Sequence, residues 1–258
     1  MYFIDVQGTL IDDVNRLPVR GAVEFIDELN ALATPYLVIT NNTKLASGEF
    51  HAYLNEIGLN IPIERYLDPL MTLESTLPKD GVAAYGSEPF LRVLESMGYR
   101  LDYEAPKSVL VAVKEDFDAS EYAQMIDFLL KGARLVGMHE TTLYAKNGKR
   151  YPGVGAILKM LEFATSASYD VVGKPSRAFY DEALRRLRLQ APEATFEGVT
   201  IISDDVKGDL IGAKRLGMKS VFVLSGKYAA ADEIIPMLQS DDHPDMICDD
   251  MQAYRERV

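Results

Sequence analysis

Cysteine is nearly absent. The one residue of its kind, Cys248, rules out a disulfide within the chain and suits a reducing compartment. Positive charge is also scarce: 27 Lys and Arg stand against 39 Asp and Glu, for a net charge of −12 and a pI near 4.8. Nonspecific binding to nucleic acid or to an anionic membrane needs a basic face, so neither is expected as a partner. A small phosphorylated substrate would need local positive charge, for which a metal ion is the natural source. No apolar run approaches the roughly 20 residues that span a bilayer, and no repeat marks a solenoid. The first strand begins at Tyr2 with no signal or transit segment before it, so a cytoplasmic protein is expected.

What the chain does have is an ordinary globular composition, 48% apolar and 26% charged over 258 residues. That length buries a full core, as one large domain or as a main domain with an insertion. Short apolar runs alternate with helical patterns, which predicts an α/β fold, a doubly wound parallel sheet covered by helices. Strands are predicted at 2–4, 36–40 and 220–224, and at the start of the segments 169–176 and 198–205, each running into a turn. Residues 21–33 put Val23, Phe25, Ile26, Leu29 and Leu32 on one helical face. Between residues 76 and 167 the pattern changes to a self-contained α/β unit, with helices near 88–98, 119–131 and 154–165. The expected organisation is a core in two parts, 1–75 and 168–258, carrying an inserted α/β cap, 76–167.

The core strands run into polar clusters. "FIDVQGTL" (3–10) ends a strand on Asp5, "YLVIT" ends on Thr40 with Asn41 after it, "VVGKPS" carries Lys174, and "GVTIISDD" ends on Asp204 and Asp205, with Asp209 four residues on. Ligands of open parallel sheets bind beyond the carboxyl ends of the strands. Asp5 and Asp204, with a main-chain carbonyl, offer the few oxygen donors that Mg²⁺ takes from a protein. Asp205 and Asp209 stand where they would hold metal-bound waters or orient Lys174. The same "SDDVKGD" is equally a helix start, in which Ser203 or Asp204 is the cap and Asp209 is solvated. Thr40 and Asn41 suit phosphate oxygens or cap the helix that follows, and Lys174 either pairs with phosphate or is a solvated turn residue.

The order strand-D-x-x-G-T, strand-T-N, turn-G-K-P, strand-S-D-D-x-x-x-D resembles the haloacid dehalogenase-like (HAD) superfamily, over essentially the whole chain. The insertion resembles the cap of its NagD-like branch. "PGVGAILKMLEFAT" and "DDVKGDLIGAKRLGMKSVFVLSGK" look closest to the phospholysine phosphohistidine inorganic pyrophosphate phosphatase-like subgroup. The resemblance implies a Mg²⁺-dependent phosphohydrolase in which Asp5 attacks phosphorus to give an aspartyl phosphate that water hydrolyses. It implies Mg²⁺ on Asp5, Asp204 and the main-chain carbonyl of Gln7, phosphoryl oxygens on Thr40 and Asn41, and Lys174 offsetting their charge. It also implies that the cap selects a small phosphorylated substrate, with His139 touching it and Glu140 and Tyr144 behind, and that the chain pairs into a homodimer through the cap.

Gln7 departs from that pattern, because the family's phosphatases carry an aspartate there to move protons. Glutamine keeps the main-chain carbonyl but does not titrate. General acid–base help is worth ~10²–10⁴-fold, about 3–5 kcal/mol of barrier. A slowed phosphatase is therefore expected. Two alternatives are a phospholigand-binding protein without turnover and a phosphotransferase that passes the aspartyl phosphate to an acceptor other than water.

Overall fold

The computed structural model describes residues 1–146 and 149–258. In chain order the strands are β1 (Tyr2–Ile4), β2 (Tyr36–Ile39), β3 (Tyr66–Leu67), β4 (Asp80–Tyr85), β5 (Arg100–Leu101), β6 (Ser108–Val111) and β7 (Arg134–Gly137). They continue with β8 (Leu143–Lys146), β9 (Lys149–Pro152), β10 (Tyr169–Val171), β11 (Thr200–Ser203), β12 (Lys219–Val223) and β13 (Met246–Cys248). The chain forms two compact units, one from residues 1–40, 48–67 and 180–258 and the other from residues 41–47 and 68–179.

The first unit is built on a six-stranded sheet in the order β13-β12-β11-β1-β2-β3. Every pairing in it is parallel. Tyr36, Leu37, Val38 and Ile39 of β2 are all buried, as a strand covered on both faces requires. The helix Ala22–Ala31 buries Ala22, Phe25, Ile26 and Leu29, the three-and-four spacing of an amphipathic helix. Leu32, expected on that face, is instead the exposed C-cap. From β1 the sheet grows through β2 to β3, while β11, β12 and β13 extend it the other way. The reversal therefore falls between β1 and β11, whose register sets Ile4 opposite Ile202.

The second unit holds a five-stranded sheet in the order β10-β7-β6-β4-β5, again parallel throughout. The helix Ala119–Leu130 opens on a reciprocal cap, in which Asp118 accepts from Glu121 N–H and Glu121 accepts from Asp118 N–H. The helix Val154–Thr165 buries Val154, Ile157, Leu158 and Leu161. It approaches the sheet at Gly137, where a Cβ would lie 2.4 Å from Leu158 Cδ1; glycine in this strand is what lets the helix come close.

The unit is larger than the insertion expected from sequence, for two packing reasons. The helix Pro69–Thr76 places Leu70 and Leu73 in the same core as Val82, Leu110 and Val136. β10 pairs with β7, so the strand before Lys174 completes this sheet and not the first one. β8 and β9 form an antiparallel hairpin that the sequence reading did not anticipate.

Leu158 is fully buried among Val109, Leu135 and Leu161. Replacing it with alanine leaves a cavity and is expected to cost about 2–5 kcal/mol. Urea denaturation of Leu158→Ala checks this, and a loss below about 1 kcal/mol would show that the second core collapses around the gap.

Candidate active site

Asp5 and Asp204 stand just past the carboxyl ends of the two strands that flank the reversal in the first sheet. Both are buried, each about 5% exposed. Asp5 N–H continues the ladder by donating to Ile202 O at 2.9 Å. The hydroxyl of Thr9, fully buried, joins them: Oγ1 donates to Asp5 Oδ2 at 3.5 Å and accepts from Asp204 N–H at 3.1 Å. One short side chain thus links the Asp5 carboxylate to the Asp204 backbone, 199 positions apart (5 and 204) in the chain.

A strap of residues 225–227 closes over Asp204. Ser225 Oγ donates to Gly8 O at 2.8 Å, and Lys227 N–H donates to Asp204 Oδ2 at 2.7 Å. A Cβ on Gly8 would fall 2.1 Å from Asp204 Oδ2, and one on Gly226 would fall 2.2 Å from the same oxygen. Gly8 also has φ of +75°, so both its conformation and its neighbours demand glycine. The Lys227 ammonium reaches Asp205 Oδ2 at 2.9 Å. Burial pulls the pKa of this lysine down, but the charge and hydrogen bond of Asp205 outweigh it and the net shift is upward. Asp204 moves the other way from an ordinary acid: burial first, then the charges of Asp5 and Asp205, push its carboxyl well above the usual range.

Gln7 lies on the loop between them. Its Oε1 accepts from the Thr40 hydroxyl at 2.8 Å. That bond orients the amide, so its NH₂ end is what Gln7 offers to a ligand. It also commits the only hydroxyl proton of Thr40, which is fully buried.

The chain is similar to known proteins in sequence and in fold. A family model described as haloacid dehalogenase-like hydrolase matches residues 2–100, and a second, HAD-hydrolase-like, matches residues 171–254. The chain belongs to the haloacid dehalogenase-like hydrolases. It is 29% identical over 232 residues to haloacid dehalogenase-like hydrolase domain-containing protein 2 of Mus musculus, covering 89% of this chain and 86% of that protein. It is 25% identical over 254 residues to the phospholysine phosphohistidine inorganic pyrophosphate phosphatase of Homo sapiens, covering 95% and 90%. Its fold matches that of the p-nitrophenyl phosphatase from Archaeoglobus fulgidus with a TM-score of 0.83 at 22% identity, over 100% and 98% of the two chains.

In this hydrolase the remaining residues singled out from sequence are arranged differently from expectation. Asp205 is the cap of the turn Val206–Leu210, its Oδ1 accepting from Gly208 N–H at 2.9 Å; neither Ser203 nor Asp204 fills that place. Asp209 is buried, not solvated, and its Oδ2 accepts from Ser203 Oγ at 2.7 Å. Asp205 orients Lys227, a lysine the sequence reading passed over.

Asn41, Lys174 and His139 all belong to the second unit. Asn41 Oδ1 accepts from Lys174 N–H at 2.9 Å and Asn41 Nδ2 donates to Lys174 O at 3.4 Å. Both ends of this amide therefore hold the Lys174 main chain, where a phosphate contact was expected. The Lys174–Pro175 peptide is cis, and the Lys174 side chain is buried. His139 is buried as well. Its Nδ1 accepts from Thr141 N–H at 3.4 Å. Glu140 Oε1 accepts from the Tyr169 hydroxyl, a pairing not foreseen for the residue behind it.

Thr9, Gly226, Lys227 and Tyr180 were missed. The Tyr180 ring stacks on Phe3 at 6.4 Å, and its hydroxyl donates to Asp209 O at 3.4 Å. Only Thr9 carried a local signal, the hydroxyl in the Gly-Thr turn after Asp5.

The raised Asp204 pKa gives a signed prediction. Its ionised form is disfavoured in the folded state, so the contribution is fully present below the ordinary carboxylate pKa and lost as pH rises through the raised value. Asp204→Asn, compared with the parent in EDTA by denaturant unfolding, should match it at acid pH and become the more stable of the two as pH rises. A stability difference that does not change with pH would overturn this account.

Proposed function

We propose that this hydrolase is a Mg²⁺-dependent phosphohydrolase of small phosphorylated metabolites, with Asp5 as the nucleophile and turnover slowed by Gln7. The observation that carries the reading is the buried pair Asp5 and Asp204, set at the sheet reversal and joined through the Thr9 hydroxyl. Two like charges in one dry place call for a cation, and an oxygen-only donor set suits a hard one. Among the described residues no group of three or more His, Cys, Asp or Glu side chains gathers as a ligand set. The protein's share would then be two carboxylates and the Gln7 main-chain carbonyl, with water and substrate completing the coordination. When bound, Mg²⁺ would neutralise the paired carboxylates and polarise the phosphoryl group.

The steps on the protein's own groups follow. An oxygen of Asp5 attacks phosphorus in line, an Asp5–phosphorus bond forms, and the bond to the leaving group breaks. Water then attacks the same phosphorus, which restores the Asp5 carboxylate and liberates inorganic phosphate. Positioning and electrostatics carry most of the rate in phosphoryl transfer. Asn41 fixes the Lys174 backbone, and the Lys174 ammonium offsets charge on the phosphoryl group. Gln7 donates a hydrogen bond from its amide to the departing atom but supplies no proton.

Substrates whose leaving groups need little protonation suffer least from that loss. Two names among the relatives fit this: one is a phosphatase of p-nitrophenyl phosphate, an aryl ester, and another of phospholysine, phosphohistidine and inorganic pyrophosphate, the first two phosphoramidates; a third, a glycerol phosphate phosphatase, is named for an alkyl ester. Gln7 leads us to assign this chain a preference for aryl, acyl and phosphoramidate groups over alkyl esters. The hydrogen bond that holds Gln7 to Thr40 also suits a second reading, a protein that binds phospholigands without turning them over.

Steady-state release of inorganic phosphate with Mg²⁺ separates the two. Aryl and acyl phosphates should be hydrolysed by the parent and not by Asp5→Asn. If a broad panel yields no turnover above that variant while the esters still bind, the binding-protein reading stands instead. Gln7→Asp is expected to raise turnover of alkyl phosphates at least about tenfold, with Mg²⁺ affinity in calorimetry little changed. Unchanged activity would place the proton-transfer role elsewhere.

A further inference from the structure

The strap over Asp204 is held at both ends, and one anchor is a side chain that the proposed chemistry does not use. Ser225 fixes the first end on Gly8 O. The Lys227 ammonium fixes the other on Asp205 Oδ2, in a pair whose side chains are only 19% and 15% exposed. Water and salt screen such a pair far less than one on the surface. Asp205 is fixed in turn, because its Oδ1 accepts from Gly208 N–H at 2.9 Å. A chain of contacts thus runs from the turn Val206–Leu210 through Asp205 and the Lys227 side chain to the Lys227 main chain.

At its end is the 2.7 Å hydrogen bond from Lys227 N–H to Asp204 Oδ2. Gly8 and Gly226 wall in the same oxygen. Asp204 Oδ1, by contrast, accepts no hydrogen bond from any described residue. The carboxylate is split into one oxygen committed to the main chain and one on offer. Cations read that difference. Ca²⁺ accepts a carboxylate through one or both oxygens in a loose shell of roughly six to eight, whereas Mg²⁺ demands a tight octahedron and keeps several waters. Groups that hydrogen-bond a ligating carboxylate change metal affinity by about 10- to 100-fold.

We propose, on the Mg²⁺ reading above, that Lys227 is a positioning residue that fixes metal choice: its salt bridge to Asp205 anchors the 225–227 strap, whose N–H withholds one Asp204 oxygen and so favours Mg²⁺ over Ca²⁺. A lysine that served only as counter-charge would act differently. It would alter the affinity for both dications alike, since they carry the same charge.

Calorimetric titration of the full chain with MgCl₂ and with CaCl₂ separates the two roles. Lys227→Met and Asp205→Asn break the same salt bridge from opposite ends, and asparagine still caps the Val206–Leu210 turn. Both variants should raise the affinity for Ca²⁺ relative to Mg²⁺ about tenfold over the parent. The counter-charge role predicts instead that Lys227→Met strengthens both cations equally and Asp205→Asn weakens both equally. That result, or an unmoved ratio in either variant, overturns the proposal. In metal-free protein the Lys227 amide proton should shift upfield in both variants as its bond to Asp204 loosens, and an unmoved resonance would count against it as decisively. If Lys227→Met does not fold, Asp205→Asn decides by the same two readouts. Mg²⁺ binding by the parent with an unmoved ratio would leave the phosphohydrolase reading standing, whereas a parent that binds neither cation would overturn both.

Discussion

The first unit is organised around the electrostatic repulsion between two carboxylates buried side by side. Asp5 and Asp204 are forced together by the register of β1 against β11 and by a threonine hydroxyl that touches both. Burial raises the energy of the charged form of Asp204, and the charges of Asp5 and Asp205 raise it further. Much of the surrounding structure answers that cost. The Lys227 N–H caps one oxygen of Asp204, its ammonium sits on Asp205, and two glycines bring main chain close enough to leave no space for a side chain. A site that concentrates unfavourable charge in a folded protein is a site prepared for something positive to arrive.

Much of this was legible in the sequence because it is local. Each apolar run that ends on an acid or amide gave a strand and its tip, and the helices 119–130 and 154–165 fell within a residue of their expected ends. Asp5 and Asp204 stood out because each follows such a run directly. What was not legible depends on contacts between distant segments. Lys227 looks like an ordinary loop lysine until the 225–227 strap lies across Gly8. Asn41 reads as a phosphate ligand until its amide is seen clasping Lys174, 133 positions along the chain. The boundaries of the second unit moved because strand pairing, not composition, decides which sheet owns β10. The hairpin β8 and β9 carries charge and aromatic residues with little alternation, so it left no clear period to read.

In the proposed function position 7 has two roles, coordination through its main chain and proton transfer through its side chain, and Gln7 would keep only the first. The main chain at residue 7 remains available for coordination, whichever residue stands there. The Gln7 side chain is tied to Thr40 by a hydrogen bond that a carboxylate would also accept. The surrounding geometry therefore tolerates either residue, and chemistry distinguishes them. Substrate choice would then be set as much by the leaving group as by shape.

The salt bridge from Lys227 to Asp205 has a consequence for how the polypeptide reaches its native state. Where a metal supplies all the counter-charge of a structural site, metal binding and folding are coupled. This chain brings a tethered ammonium to the cluster as the 225–227 segment docks. Part of the counter-charge is thereby built into the fold itself, carried by a group that no change in ion supply can remove.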